Sequence, residues 1–190
     1  GIIAMCVEDG DAVIATQVTD GKGEILIGTR DGMSIRFEEG DIRPMGRTAF
    51  GVRGIQLRDD DFVVGMEVVK PGGTVLTVTE LGYGKRTEID EYRLQSRGGV
   101  GIIDISTSDR NGVVAGTVYV TDGDEVLLIT QQGMILRMQA SDVRVIGRAT
   151  QGVRVIDLDE GDKLVSIAKL DAPDDEATVE AGTDEPAPTA

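Results

Sequence analysis

Segments of five to eight residues that are rich in Val, Ile and Leu recur along the first 170 residues of the chain. Glycine, asparagine and aspartate separate these runs, and such residues favour the backbone conformations of tight turns. Apolar runs of this length, bounded by turn residues, are typical of β-strands. No segment keeps the 3.6-residue spacing of apolar positions that marks a surface helix. The pattern therefore predicts an all-β fold with little helix.

The strand pattern repeats about every 50 residues. Each repeat opens with a strand, a turn centred on a glycine, and a return strand that reaches an arginine. The turn glycines are Gly32, Gly82 and Gly133. Two further apolar segments follow in each repeat, at 50–57 and 63–69, at 98–105 and 113–120, and at 151–158 and 164–170. Tandem four-stranded units of this length predict a propeller-like array.

The repeat divides the chain into blades at 21–70, 71–120 and 121–170. Residues 1–20 are similar to the closing part of a repeat, so we expect them to be the end of a preceding blade and the array to be incomplete at its N-terminus. Residues 171–190 contain seven acids, three prolines and no Lys or Arg. Because such a composition cannot bury enough apolar surface to fold, we expect a disordered acidic tail there.

The formal net charge of −15 is unevenly distributed. Residues 1–170 carry 27 acids against 19 bases, which leaves a net charge of −8 for the predicted blades. A body that is acidic overall does not attract nucleic acid by its total charge. Any phosphate-binding surface must therefore come from a local concentration of arginine and lysine.

Several kinds of chemistry are excluded by composition. The chain has no histidine, which rules out a histidine general base, triad or metal ligand, and Cys6 alone cannot build a thiolate zinc site. Neither a Walker A pattern nor a complete dinucleotide loop occurs. We therefore expect no catalytic residue, metal site or cofactor in this chain. No apolar stretch approaches the length of a membrane span, and the lone cysteine fits a reducing cytoplasm.

Arginines occupy equivalent positions of the repeat and form four rows. The first row is Arg36, Arg86 and Arg137, the second is Arg43, Arg93 and Arg144, the third is Arg47, Arg97 and Arg148, and the fourth is Arg53 and Arg154, with Gly101 in the middle repeat. In a radial array, equivalent positions lie at one height and radius, so each row forms an arc of positive charge. Guanidinium groups in an arc suit the backbone of bent duplex DNA.

A structural role is the alternative for these arginines. Each second-row arginine follows an acid by two residues (Asp41, Glu91 and Asp142). Residues two apart on an extended strand share one face, so these rows could instead be ion pairs between blades that duplication has repeated. Readout of base edges is disfavoured because identical repeated contacts carry no sequence information. Stacking on unpaired bases is disfavoured by the scarcity of aromatic residues.

Several motifs, taken in order, resemble the C-terminal domain of the DNA gyrase A subunit. They are MGRTAFGVRGI at 45–55, LGYGKRT at 81–87 and DRNG at 109–112, and the resemblance runs from residue 1 to about 170. The segment QSRGGVG at 95–101 is similar to a degenerate copy of the basic box that this family uses in wrapping. The resemblance implies a β-pinwheel, a propeller-like disc that wraps double-stranded DNA around a basic rim.

The resemblance also implies a setting in the bacterial cytoplasm, at the nucleoid. The chain would work with the rest of the gyrase A subunit, together with the gyrase B subunit, in an A2B2 holoenzyme, an ATP-dependent type II topoisomerase that uses Mg and introduces negative supercoils. Cleavage and ATP hydrolysis would lie outside this chain. The implied DNA-binding residues are Arg36, Arg43, Arg47, Arg53, Lys85, Arg86, Arg93, Arg97, Arg137, Arg144, Arg148 and Arg154. Two alternatives stay open: the C-terminal domain of the topoisomerase IV A subunit, and a protein-binding β-propeller module.

Overall fold

The computed structural model describes residues 1–170 of the chain. Eleven β-strands and three short 3₁₀ helices make up its regular structure. The strands are β1 (Glu24–Thr29), β2 (Met33–Glu38), β3 (Val63–Val69), β4 (Thr74–Thr79), β5 (Tyr83–Glu88), β6 (Ile102–Ile103), β7 (Val114–Val120), β8 (Glu125–Thr130), β9 (Ile135–Gln139), β10 (Val153–Arg154) and β11 (Leu164–Leu170). The 3₁₀ helices are Glu39–Asp41, Ile89–Glu91 and Ala140–Asp142. The predicted all-β fold is confirmed.

The hairpins predicted at the three turn glycines are present. Strand β1 pairs with β2, β4 with β5 and β8 with β9, all antiparallel and in equivalent registers. Gly32, Gly82 and Gly133 have φ values of 85°, 80° and 90°. This left-handed conformation is costly for residues with a Cβ atom, which explains why glycine occupies each turn.

The sheets do not coincide with the sequence repeats. The first sheet has the order β3-β1-β2-β6, and the second has the order β10-β5-β4-β7. Strand β6 comes from the second repeat but pairs with β2 of the first, and β10 comes from the third repeat but pairs with β5 of the second. Each complete sheet therefore takes its outermost strand from the next repeat, a connection that we call strand exchange. The third sheet, β11-β8-β9, has three strands in the described part of the chain.

The exchanged strands are shorter than the sequence predicted. The segments 98–105 and 151–158 contribute only two strand residues each, and the matching segment at 50–57 forms no strand. That segment follows β2, and the described chain contains no preceding repeat whose sheet it could complete. The blade boundaries expected from sequence therefore describe the repeat, whereas the hydrogen-bonded sheets cross them.

Strand exchange corrects the middle position of the fourth arginine row. Ile103 pairs with Met33 in the first sheet just as Arg154 pairs with Tyr83 in the second. The middle member of that row is therefore Ile103, whereas Gly101 corresponds to Gly152. Both of these glycines have positive φ, at 73° and 76°.

Strands β3, β7 and β11 lie next to one another on the inner side of the array, and β6 and β10 lie on the outer side. Two clusters of buried side chains fill the space between neighbouring sheets, and a third lies on the first sheet alone. The largest surrounds Leu76, Val118, Leu128 and Leu164, each of which is 8% exposed or less. The equivalent strand order of the first two sheets places their outer segments on the same side of the array.

Residues 1–23, which include the expected end of a preceding blade, contain no strand. Gln17 is nevertheless held against β3, because its side chain donates to the carbonyl oxygen of Met66 at 3.1 Å and accepts from the amide of Val68 at 3.1 Å. The acidic tail predicted at 171–190 lies outside the described residues.

Candidate functional site

Segments that end in the exchanged strands line the outer edges of the first and second sheets. We call the equivalent ranges 42–53, 92–103 and 143–154 the rim segments. Each begins after a 3₁₀ helix, and those of the second and third repeats run beside the outer strand of the preceding repeat. The amide of Gln95 donates to the carbonyl oxygen of Arg36 at 2.8 Å, and the amide of Ile146 donates to that of Arg86 at 2.9 Å. Rows two, three and four all lie on the rim segments.

First-row arginines connect one repeat to the next. Arg36 donates to the carbonyl oxygens of Ile89 and Tyr92 at 2.8 and 3.0 Å, and it forms an ion pair with Glu24. In the next repeat, Arg86 donates to the carbonyl oxygen of Val143 and forms an ion pair with Asp122. Because Arg86 is only 5% exposed, it is not available to a phosphate group, which corrects the expectation that it faces DNA.

Arg137 is the first-row member of the third repeat, and its surroundings differ. It is exposed and forms an ion pair with Glu125, the residue that corresponds to Glu24. In the described part of the chain, no later rim segment offers it carbonyl oxygens. The contrast indicates that the first row serves the contact between repeats.

Lys85 is buried in a polar cluster and does not face solvent. Its ammonium group, fully shielded, lies 3.0 Å from a carboxylate oxygen of Asp104. Asp104 also accepts hydrogen bonds from the hydroxyls of Thr77 and Tyr92 at 2.6 and 2.5 Å. A buried ammonium with its own counter-ion cannot reach DNA, so the expectation that Lys85 binds DNA is corrected.

Burial governs the protonation of this cluster. Burial lowers the pKa of Lys85, although the neighbouring Asp104 carboxylate opposes that shift. Burial also raises the pKa of Tyr92, and the adjacent carboxylate raises it further. Sequence reasoning missed the cluster, yet a signal was present: Thr77 faces Lys85 where the other hairpins pair Ile27 with Ile35 and Leu128 with Leu136.

Second-row arginines are the most available cations of the rim segments. Arg43, Arg93 and Arg144 are all exposed. Within residues 1–170 none of them forms an ion pair, so the described residues provide no support for pairing with the acids two positions earlier. The side chain of Arg93 has a weak contact of 3.4 Å with Gln95. These three guanidinium groups lie at equivalent places on three consecutive rim segments.

Two of the third-row arginines donate hydrogen bonds to the backbone of the preceding repeat. Arg97 donates to the carbonyl oxygen of Arg53, and Arg148 donates to the carbonyl oxygen of Ile103 at 2.8 Å. Both bonds reach back to the rim segment of the preceding repeat, and both side chains remain partly exposed. Arg47 is exposed. The third row therefore combines contacts between rim segments with a partly accessible charge.

The fourth row differs from one repeat to the next. Arg53 is exposed. Arg154 forms an ion pair with Asp157 at 2.8 Å and donates to the hydroxyl oxygen of Tyr83 at 3.2 Å. Arg110 lies over the ring of the same tyrosine, with its guanidinium carbon 4.9 Å from the ring centroid. Arg110 stands outside the four rows, so repeat analysis did not identify it as a candidate.

Among residues 1–170, no group of three or more His, Cys, Asp or Glu side chains is arranged to hold a metal ion. No helix in this part of the chain has the length and apolar character needed to cross a membrane.

Comparison with known proteins gives a family match for each repeat. The sequence profile described as DNA gyrase C-terminal domain, beta-propeller, matches residues 23–70, 73–120 and 124–171. The chain is 42% identical over 187 residues to the DNA gyrase A subunit of Chlamydia pneumoniae, covering 97% of this chain and 22% of that protein. It is 54% identical over 176 residues to the DNA gyrase A subunit of Halalkalibacterium halodurans, covering 93% of this chain and 21% of that protein. The chain thus spans about a fifth of the length of these curated relatives.

Solved structures show the same fold. A structure of a DNA gyrase A C-terminal domain superimposes with a TM-score of 0.82 at 29% identity, covering 89% of this chain and 58% of that one. The C-terminal domain of a DNA topoisomerase IV superimposes with a TM-score of 0.84 at 24% identity, covering 88% of this chain and 52% of that one. At that identity, the topoisomerase IV match supports the fold alone.

Proposed function

Because this chain belongs to the DNA gyrase C-terminal domain family, we propose that it binds and bends duplex DNA along its rim segments as the non-catalytic wrapping part of a type II DNA topoisomerase. The observation that carries the proposal is the second arginine row. Its three exposed guanidinium groups occupy equivalent places on consecutive rim segments and are free of ion pairs within residues 1–170.

An arc of such charges favours a curved duplex over a straight one. Bending a site of 20–30 base pairs costs about 1–6 kcal/mol, and contacts that form only on the curved path must offset this cost. Guanidinium groups pair with phosphate oxygens in a fixed planar geometry. Since the same residue type recurs on each rim segment, binding is expected to be largely independent of sequence. Supercoiling also requires a cleavage centre, which this chain is not expected to contain.

The assignment to gyrase in particular rests on the similarity to DNA gyrase A subunits. In this proposal the chain acts within a gyrase holoenzyme of two A and two B subunits, in the bacterial cytoplasm, with ATP and Mg used by other parts of the assembly. Negative supercoiling is then the activity of the whole complex. The topoisomerase IV A subunit remains the second candidate because its C-terminal domain shares the fold. A DNA-supercoiling assay with the intact protein and its partner subunit distinguishes the two, since the gyrase assignment requires supercoiling of relaxed circles.

Replacement of Arg43, Arg93 and Arg144 together by alanine is expected to weaken binding to every duplex alike. Each lost phosphate contact lowers the magnitude of the slope of log K against log salt by about 0.9. The slope of the triple variant should therefore be smaller in magnitude by about 2.7. Because fewer contacts offset the bending cost, the end-to-end distance of labelled DNA should increase before binding is lost. Titrations across a salt series, together with energy transfer between labelled DNA ends, measure both effects.

A matched control removes the same charge away from the rim segments. Lys22, Arg58 and Lys70 are exposed and lie outside the rim segments, so their joint replacement by alanine should change the salt slope much less. Circular dichroism must show that both triple variants keep the β-fold. Equal salt slopes and equal bending for the parent and the rim variant would refute the assignment of the second row.

Residues 171–190 are expected to compete with DNA. Seven acids tethered to a chain with exposed arginines act at high effective concentration, and salt screens their attraction. Deletion of 171–190 should therefore tighten DNA binding at about 50 mM salt and have less effect at about 300 mM salt, measured by fluorescence anisotropy. A deletion that leaves the affinity at low salt unchanged would contradict this competition.

A further inference from the structure

Two arginines from different repeats share one tyrosine at the boundary between the second and third sheets. The guanidinium carbons of Arg110 and Arg154 lie 4.9 and 5.4 Å from the centroid of the Tyr83 ring. Tyr83 is the first residue of β5, and Arg154 lies on the exchanged strand β10. Arg110 belongs to the loop before β7. We call these three residues the paired-arginine cluster.

The cluster is held on the rim and stays open to solvent. Arg110 donates to the side-chain oxygen of Gln151, a residue of the third rim segment, at 3.2 Å. The neighbouring Asn111 donates to the carbonyl oxygen of Gln151 at 3.1 Å. Both arginines are exposed, whereas Tyr83 is 9% exposed. The aromatic ring thus forms a buried base that supports two accessible charges.

The two positive charges are close together. Since both guanidinium carbons lie near one ring centroid, they are no more than about 10 Å apart, which is comparable with the screening length of about 8 Å at physiological salt. Hydrogen bonding from Arg154, and then from Arg110, lowers the pKa of Tyr83. The only ion pair at the cluster within residues 1–170 joins Arg154 to Asp157, a carboxylate that is 84% exposed. Exposed pairs of this kind contribute little to stability, so an incoming phosphate can displace the carboxylate.

The cluster is not a product of the repeat. In the first sheet Met33 and Ile103 occupy the positions of Tyr83 and Arg154. The positions equivalent to Arg110, just before the matching turn residues Asp61 and Asp162, hold Asp60 and Gly161. The first sheet holds its exchanged strand β6 with neither arginine present, so the arginines are not needed for that structural role. The additional positive charge at this boundary is therefore available to bind a ligand.

We propose that the paired-arginine cluster is a phosphate clamp that binds two phosphate groups of duplex DNA and fixes the position of the duplex along the rim. This inference rests on the proposed DNA-binding function and adds Arg110, which lies outside the recurring rows, to the fourth-row Arg154. Two supported guanidinium groups about 10 Å apart or closer face several phosphates, since duplex DNA carries one charge per about 1.7 Å of axis. Stacking on the ring also reduces the conformational freedom that each arginine loses on binding.

The test is the double variant R110Q/R154Q in the intact protein, compared with R30Q. Arg30 lies 5.4 Å from the ring centroid of Phe62 and forms a single arginine–aromatic contact away from the rim segments, which makes R30Q a matched control. The double variant should lower the magnitude of the salt slope by about 1.8 and weaken duplex binding about tenfold at about 50 mM salt. Hydroxyl-radical footprinting should show a loss of protection at one place along the wrapped DNA. R30Q should leave the slope and the footprint unchanged.

Other outcomes separate the possible causes. If the parent itself fails to bind duplex DNA, the proposed function is wrong. If the parent binds and the double variant keeps the parent slope and footprint, only the clamp is wrong. An effect that disappears when residues 171–190 are deleted would make the acidic tail the occupant and overturn the DNA assignment. The charge-retaining variant R110K/R154K separates a lost contact from a lost fold. If the cluster binds phosphate, this variant should recover most of the salt slope. If the two arginines are only structural, it should not.

Discussion

Replacement of Asp104 by valine is expected to destabilise the protein by about 3–5 kcal/mol, the usual cost of leaving a buried charge without its partner. Lys85 is fully shielded, and Asp104 is its counter-ion at 3.0 Å. For a chain of this size, one kcal/mol shifts the midpoint of thermal unfolding by about 2–4 °C. The variant should therefore melt about 10 °C below the parent, a difference that differential scanning calorimetry measures directly.

The third repeat supplies the control for this experiment. There Leu136 and Val155 occupy the positions of Lys85 and Asp104, and Leu128 occupies that of Thr77. The quadruple variant K85L/D104V/T77V/Y92F replaces the polar groups of the cluster together, so no buried ammonium remains. Exchange of a whole buried ionic group for apolar side chains is often neutral or stabilising. Its midpoint should return close to that of the parent. A single D104V variant as stable as the parent would show that Lys85 does not depend on this carboxylate.

Replacement of Gly32 by alanine is expected to cost about 3 kcal/mol, from a left-handed backbone and from a steric clash. A Cβ atom at Gly32 would lie 2.2 Å from the carbonyl oxygen of Ile105, just after the exchanged strand β6. The equivalent Gly133 also has positive φ, but its Cβ atom would meet nothing within 4 Å. Alanine at Gly133 should therefore cost only the backbone strain, about 1 kcal/mol.

The difference between these two variants measures strand exchange itself. Both share the same backbone conformation, so urea unfolding of the pair isolates the contact with the following repeat. Hydrogen exchange adds a local readout, because Asp104 donates its amide to the carbonyl oxygen of Gly32 at 2.8 Å. The Gly32 variant should lose protection at that amide. Equal costs for the two glycines, with protection retained, would argue against β6 completing the first sheet.

The hairpins could be predicted from sequence because a turn glycine between two apolar runs is a local signal. Strand exchange could not, since a period of about 50 residues is the same whether the outer strand completes its own sheet or the preceding one. In the sequence, the glycine-valine pairs at 51–52 and 99–100 give one alignment of the rim segments, which places Arg53 opposite Gly101. The backbone supports another, in which Gly101 corresponds to Gly51 and Gly152, all with positive φ.

The candidate site was predictable in outline only. Recurrence identifies arginines that every repeat needs, but a contact between repeats and a contact with a ligand recur equally well. Arg86 and Arg93 lie seven residues apart and belong to equally regular rows, yet the first is 5% exposed and the second is exposed. Recurrence also overlooks what occurs once, which is why the buried Lys85–Asp104 pair and the contribution of Arg110 required three-dimensional contacts.

The main-chain pairing of an exchanged strand with the preceding sheet does not depend on which side chains that strand carries. Strand β6 is Ile-Ile and β10 is Val-Arg, yet both occupy the same register against the preceding sheet. Main-chain bonds, a left-handed glycine and a first-row arginine are common to both joints, so we expect a repeat that carries these features to fit the edge of another. Such a chain can lengthen or shorten by whole repeats through duplication or deletion without the evolution of a new interface. Each rim segment then remains free to gain features of its own, as the boundary at Tyr83 has done.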